Sequence, residues 1–221
     1  MNINNLQTNT MADGYLEKRY DEVFGKNATR TVVKRVPVEQ LMERNRSYRG
    51  FHPETVVTRE TLEKIVAVNP LLPSACNQQV LRFKLVTKDS GADIVLRHIK
   101  MGAALPELHL PFPGTEPQAF IVICSTAPET KLVDIDLGIS AQSMLLKATE
   151  LGYNGLIIGA FNRSALKQEL QLPLEPLLVI AIGRGAEVIR RVEIAESESH
   201  AYYRKDGVHY VPKVRLADLI L

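Results

Sequence analysis

Arg44-Asn45-Arg46-Ser47-Tyr48-Arg49-Gly50-Phe51 and Pro73-Ser74-Ala75-Cys76-Asn77-Gln78-Gln79 are the two stretches from which the rest of the chain is read. The first gathers three guanidiniums and a hydroxyl just after a short helical pattern (Val38, Leu41, Met42) that starts near Pro37. The second is a polar, turn-forming stretch with carboxamides, set between an apolar helical pattern and a strand. Guanidiniums are permanently charged planar forks that suit a phosphate or an electron-rich carbonyl, while Asn and Gln carry donor and acceptor together. Together they suit a flat heterocycle with a phosphate tail better than a nucleic acid. Taken singly, each has a plainer reading: a solvated charged turn, and a loop of turn formers.

Outward from these stretches the patterning alternates between helix and strand. Thr58 opens a helix carrying Leu62, Ile65 and Val66 toward Pro70, with Glu60 and Glu63 in its first turns. Residues 80–87 alternate, with Phe83 and Leu85 on one face and Arg82 and Lys84 on the other, which predicts a half-exposed strand; 118–125 reads as a buried one. Residues 91–100 look helical, and 105–117, with four prolines, should be an irregular loop of the kind that often serves function. The spacing predicts a helix over 136–151 that is apolar nearly all round, with Asp136 as its N-cap or first-turn carboxylate. A Gly-flanked strand at 155–159, a helix at 164–170, a strand at 177–182 and a strand-like tail follow. Helices are expected to outnumber strands, in mixed order, around a modest sheet: an α+β chain.

The chain of 221 residues, 45% hydrophobic and 24% charged, is ordinary for a soluble globular protein with one main domain. Residues 1–36 read as an N-terminal extension with a short helix over 13–24, and 37–221 as the main domain. A net charge of +2 is too mild for a nucleic-acid binder, and no apolar run approaches bilayer length, so neither nucleic acid nor membrane is expected as a partner. Two cysteines in unlike contexts, Cys76 and Cys124, are expected as free thiols in a reducing, cytoplasmic setting, with Cys76 an inert small residue. The five histidines show no metal-ligand spacing, and there is neither a Walker loop nor a Rossmann glycine fingerprint, so any nicotinamide is expected to bind transiently.

In order along the chain, these segments resemble the FMN-dependent nitroreductase family from about Val38 to Leu219. Arg46-Ser47-Tyr48-Arg49 matches its Arg-Ser-x-Arg/Lys core, and Pro73 to Gln79 its Pro-Ser-x-x-Asn-x-Gln segment. Asp136-Leu-Gly138-Ile-Ser-Ala-Gln142 matches the start of its long central helix, and Val211-Pro-Lys213-Val-Arg215 its C-terminal basic segment. The pattern departs at Asn45, where many members carry another Arg, leaving Arg44 as the candidate stand-in, and at Val80-Leu81, where Pro-Trp is frequent. The resemblance implies a three-layer sandwich, a central mixed or antiparallel sheet flanked by helices, in an intertwined homodimer with FMN sites at its interface. It implies that Arg46 and Ser47 hold the phosphate end or ribityl chain and that Arg49 faces the pyrimidine edge of the flavin. Ser74, Asn77 and Gln79 would touch the ring, Gly155, Leu156, Ile157 and Gly159 would line one face, and Lys213 and Arg215 would close on the phosphate.

The implied reaction is ping-pong reduction of an electron-poor small molecule (nitroaromatic, quinone or similar) by NAD(P)H through bound FMN, with no catalytic side chain required. The alternatives are a flavin-binding relative with a specialised reaction, such as flavin fragmentation or reductive dehalogenation, and a non-enzymatic dimeric flavin-binding module. The apolar helix over 136–151 is expected between subunits, so that a charge at Met144 separates them.

Overall fold

The computed structural model describes residues 18–19, 36–102 and 105–221. Contacts divide the chain into two units, Met1–Arg35 and Val36–Leu221. The helix expected over 13–24 lies outside the described residues except at Lys18 and Arg19, which are helical.

The second unit is built on a four-stranded antiparallel sheet in the order β1-β2-β4-β3: β1 Leu81–Val86, β2 Ala119–Ser125, β3 Asn154–Ile158 and β4 Glu175–Gly183. β2 and β4 occupy the centre, and every residue of β2 is buried. A strand covered on both faces sends alternate side chains into two cores. Ala119, Ile121 and Ile123 join Ile180 and Ile182 in one, while Phe120, Val122 and Cys124 join Val179 and Ala181 in the other. The first core is closed by helices α2 (Arg59–Val66) and α4 (Lys131–Glu150), the second by α3 (Ala92–His98) and α5 (Arg163–Glu169). The result is three layers, helix on sheet on helix. β1 is the half-exposed edge that its alternation predicts, with Arg82 and Lys84 turned to solvent.

Among the described residues, seven strands accompany five α-helices and five short 3-10 helices between Val38 and Leu221. The helix α1, Val38–Arg44, precedes the Arg-rich stretch, and the tail forms a separate three-stranded sheet, β5-β7-β6, of β5 Val188–Ile194, β6 Tyr203–Lys205 and β7 Val208–Val214. β5 pairs with β7 in parallel and β6 with β7 antiparallel. One reading needs correction: α4 begins earlier than 136. Thr130 is its N-cap, accepting from the Val133 N–H at 3.3 Å, which places Asp136 in the second turn and not at the cap. Asp136 is 6% exposed and faces a loop, so its carboxylate serves tertiary structure.

α4 carries apolar side chains on both its buried and its exposed face. Val133, Leu137, Ala141, Met144, Leu145 and Ala148 bury into the first core, while Leu132 and Ile135, on the opposite face, stand 45% and 48% exposed. Met144 is fully buried within its own chain, so a charge there strikes the core and not an outer surface. The outward face also carries Lys131, Asp134, Gly138 and Gln142, with Ile139 half-buried beside them.

Candidate functional site

The Arg-rich stretch is seated by backbone and rings. Ser47 forms a parallel bridge to Gly155 at the open edge of β3, with the Tyr48 N–H donating to the Gly155 carbonyl at 3.2 Å. The rings of Phe51 and Tyr48 lie where side chains on Gly183 and Gly185 would stand: a Cβ on Gly185 would come within 2.1 Å of the Tyr48 ring. These glycines are needed for close approach, the ordinary reason for a missing side chain beside an aromatic. Arg46 turns back on α1, its Nε donating to the Glu43 carbonyl at 2.9 Å and an Nη to that of Met42, so it satisfies carbonyls at the helix end. Burial, and then the neighbouring Arg191, pull the Arg46 guanidinium below its usual value. Arg191 is itself paired with Glu43 at 3.1 Å.

Behind Arg49 stands a carboxylate that sequence reasoning missed. Glu187 accepts from the backbone N–H groups of Arg49 and Gly50, the latter at 3.1 Å, and from the Arg204 guanidinium. Nothing marks it in a sequence, because its donors come from positions 49, 50 and 204. The Arg49 guanidinium lies 5.0 Å from the centroid of the Tyr202 ring, which meets His209 edge-on at 5.1 Å. Burial first, then Arg204 and Arg49, depress the His209 pKa, with Glu187 opposing.

These parts form one cleft of about 410 Å³. One wall is Arg46, Ser47 and Arg49; the other is the face of the tail sheet carrying His209, Val211 and Lys213 at alternate positions of β7, with Ile189 and Tyr202 beside them. Gln142 and Leu145 of α4 and Ile157 of β3 form the floor. Three permanent cations line it and no carboxylate does. Such a cleft favours an anion, and its size falls in the usual ligand range. His209 and Val211 were legible in principle, since stepping back by two along a strand from Lys213 reaches both.

Other expected residues do not enter this cleft. Arg44 ends α1, exposed, while Asn45 lines the wall in its place. Arg215 pairs with Asp218 at 2.9 Å outside it. Leu156 points into the second core, because strand alternation gives the cleft side to Ile157. Gly155 sits under α4, where a Cβ would meet Leu145 at 2.5 Å and the Ala181 carbonyl oxygen at 2.6 Å, and Gly159 lies beyond the lining.

The second stretch lies elsewhere. Ser74 Oγ donates to Asp136 at 2.7 Å, the Ala75 N–H to the same carboxylate at 2.9 Å, and the Gln79 N–H to Ser74 Oγ at 3.0 Å. Cys76, Asn77 and Gln79 all have positive φ, an uncommon concentration for residues with side chains and the kind of backbone that collects at functional loops. Ser74 and Gln79, with Asp136 and Ile139, line a larger cavity of about 670 Å³ against the β1 edge, which shares no residue with the cationic cleft. Asn77 is exposed and lines neither. The two cavities flank α4, one at 136–140 and the other at 142–145.

Cys76 and Cys124 are both free, and burial pushes the Cys124 thiol up to about 11. Among the described residues no cluster of His, Cys, Asp and Glu is arranged to hold a metal ion, and no helix is long and apolar enough to cross a membrane.

The fold is thus a three-layer α+β domain whose cationic cleft opens beside the edge of its sheet. The nitroreductase family model matches residues 42–184, well over half of the chain, and the protein belongs to that family. A nitroreductase family protein from Clostridium difficile 630 is 25% identical, with a TM-score of 0.55 over 70% of this chain and 87% of that one. An FMN- and NADPH-dependent nitroreductase from Sphigopyxis sp. strain HMH is 16% identical, with a TM-score of 0.56 over 68% of this chain and 89% of the other. An enone reductase of gut-bacterial fatty acid saturation is 19% identical, with a TM-score of 0.56 over 70% and 91%. No curated protein matches. The family match ends at residue 184, so the tail-sheet wall of the cleft, with Tyr202, His209 and Lys213, lies beyond it.

Proposed function

We propose that this protein is an FMN-dependent oxidoreductase that uses NAD(P)H to reduce an electron-poor small molecule, and that it works as a homodimer. The observation that carries the reading is the cleft in which Arg46, Arg49 and Lys213 converge with no opposing carboxylate, in a chain of the nitroreductase family. Arg46, Ser47 and Lys213 would hold the phosphate end, and Ile157, Leu145 and Val211 would give apolar contact. When bound, FMN supplies two-electron hydride chemistry, taken from a transient nicotinamide and returned to an acceptor such as a nitroaromatic or quinone. Arg49, fixed by its backbone bond to Glu187, would set a permanent cation beside the ring and so favour the more negative, reduced state. The chain's contribution is then orientation and electrostatics, without an acid–base pair of its own.

The separation of the two expected half-sites supports the dimer. Ser74, Asn77 and Gln79 do not line the cleft of their own chain, while α4, with Leu132 and Ile135 bare on its outer face, runs between the two cavities. A two-fold pairing of α4 faces covers that apolar stripe and lets the Ser74–Gln79 loop of one copy complete the cleft of the other. Residues 37–221 are the FMN-binding domain in this reading, with 1–36 an extension, and two free thiols suit the cytoplasm.

The test is release of the chromophore from purified protein by denaturation, followed by chromatography. FMN is the expected product. FAD, or no flavin after reconstitution, would overturn the assignment.

A further inference from the structure

Among the described residues, the two buried side-chain polar atoms without a hydrogen-bond partner are His209 Nδ1 and Arg204 Nε. They belong to residues paired across the β6–β7 ladder, and His209, 2% exposed, lines the cationic cleft. Buried polar groups are almost always paired, so the unpartnered Nδ1 of a histidine in the cleft wall marks a place made for something else, with Arg204 beside it but outside the lining. The groups facing the imidazole are overwhelmingly positive. Arg204 and Tyr202 stand on the β6 side, and Arg49 reaches over Tyr202 from the segment after α1. Lys213 lies four residues on along the same face of β7, and Arg46 belongs to the opposite wall. On β5, Arg191 is turned to Glu43. Glu187 is the one nearby carboxylate, and it is already engaged by Arg204 and by the Arg49 and Gly50 N–H groups.

We propose that His209 is a ligand-contacting residue of this cleft that takes up a proton when an anionic ligand settles against Arg49 and Lys213. In the ligand-free cleft the surrounding cations and burial oppose an imidazolium. An anion such as a phosphate monoester offsets those cations and supplies acceptor oxygens, so both ring nitrogens become useful as donors. Binding then raises the proton affinity of His209, and by linkage the ligand binds more tightly as pH falls. The wall that carries His209 lies in the tail sheet, outside residues 42–184. The inference rests on the cleft's being an anion site, as in the proposed function, but not on the anion's being FMN.

The test uses the purified full chain and two probes, inorganic sulfate, whose charge is constant across the range, and FMN. The imidazole titrations are followed by NMR between pH 5 and pH 8.5, the His209 signal being the one lost in His209→Gln and, should that variant not fold, the one in contact with the Tyr202 ring. Saturating sulfate is expected to move the His209 titration to higher pH. Sulfate affinity in the wild type should rise on going from pH 8 to pH 6, by up to about tenfold for each unit of that movement, and His209→Gln should flatten the dependence. An unmoved His209 titration at saturation, or an unchanged slope in His209→Gln, overturns the proposal. A sulfate-linked shift in a protein that refuses FMN supports it while the flavin reading falls; FMN binding with His209 unmoved does the reverse.

Discussion

The Arg44–Phe51 and Pro73–Gln79 stretches have the same kind of chemistry and opposite attachments. The first is fastened to the sheet edge through Ser47 and Gly155, and to the tail through Glu187, and it opens on a cleft whose charge is all positive. The second is fastened to α4 through Asp136 and opens on a larger cavity along the β1 edge. Two motifs that a linear reading joins into one site thus stand at two separate places flanking a single helix. A family motif reports which residues a site uses, but not that one chain brings them together.

The most severe way to probe this arrangement is through α4 itself. Met144→Asp places a charge in the core and should cost on the order of 3–5 kcal/mol, the scale of an uncompensated buried charge, seen as loss of the folded state in urea. Ile135→Asp changes an exposed position and should leave the single chain's fold intact while lowering the sedimentation-derived mass. Equal loss of folding in both would remove the distinction between the helix's two faces.

Next in size is the staple of the second stretch. Asp136→Ala strands the Ser74 hydroxyl and the Ala75 N–H and should destabilise by about 1–3 kcal/mol. Sulfate affinity at the cationic cleft, measured by calorimetry, should hardly change, since the two cavities share no residue. A large loss of sulfate binding would place the Ser74–Gln79 loop against the anion-binding end of the cleft.

Within the first stretch the two arginines should differ. Arg46→Ala is expected to weaken FMN binding by about 1–3 kcal/mol, as a lost charged hydrogen bond does. Arg49→Ala, saturated with FMN, should lower the flavin reduction potential, because a cation near the ring acts more strongly on the reduced state. An unchanged potential would deny Arg49 that place. Arg44→Ala and Arg215→Ala, both outside the cleft, should leave FMN affinity at the wild-type value.

The smallest expected effect is on stability with pH. His209 is held below its ordinary value of about 6.5, so the unfolded chain binds the proton more readily than the folded one. Its contribution is therefore intact above about pH 6.5 and is lost as pH falls below that toward the folded-state value. Thermal unfolding at pH 7.5 and pH 5.5 should show a smaller loss in His209→Gln than in the wild type; an equal loss would place the titration elsewhere.

The fold was largely legible because its signals are local. Alternation gives the edge strand Leu81–Val86, the apolar run gives the buried strand Ala119–Ser125, and the Thr58 cap gives the helix after it. The tail was legible as strand-like but its sheet was not, since β5 and β7 are joined in parallel across a long connection and the pattern of β7 is broken by Pro212. In the site, Arg46, Ser47, Arg49 and Lys213 were readable from family motifs. Glu187 and Tyr202 were not, because each acts through partners distant in sequence, whereas His209 could be reached only by strand alternation from Lys213. Asp136 was visible but misassigned, because the helix start at Thr130 is set by a cap whose threonine also passes for a turn residue.

The most direct test of a cleft completed by a second copy is complementation between two variants, Arg46→Ala/Arg49→Ala and Ser74→Ala/Asn77→Ala, each expected to lose FMN alone. After co-refolding in equal amounts, about a quarter of the wild-type sites should return, because mixed pairs form half of a closed two-fold population and carry one intact site each. No recovery, from mixed pairs shown to form, would mean that both half-sites serve the same chain and would contradict the account.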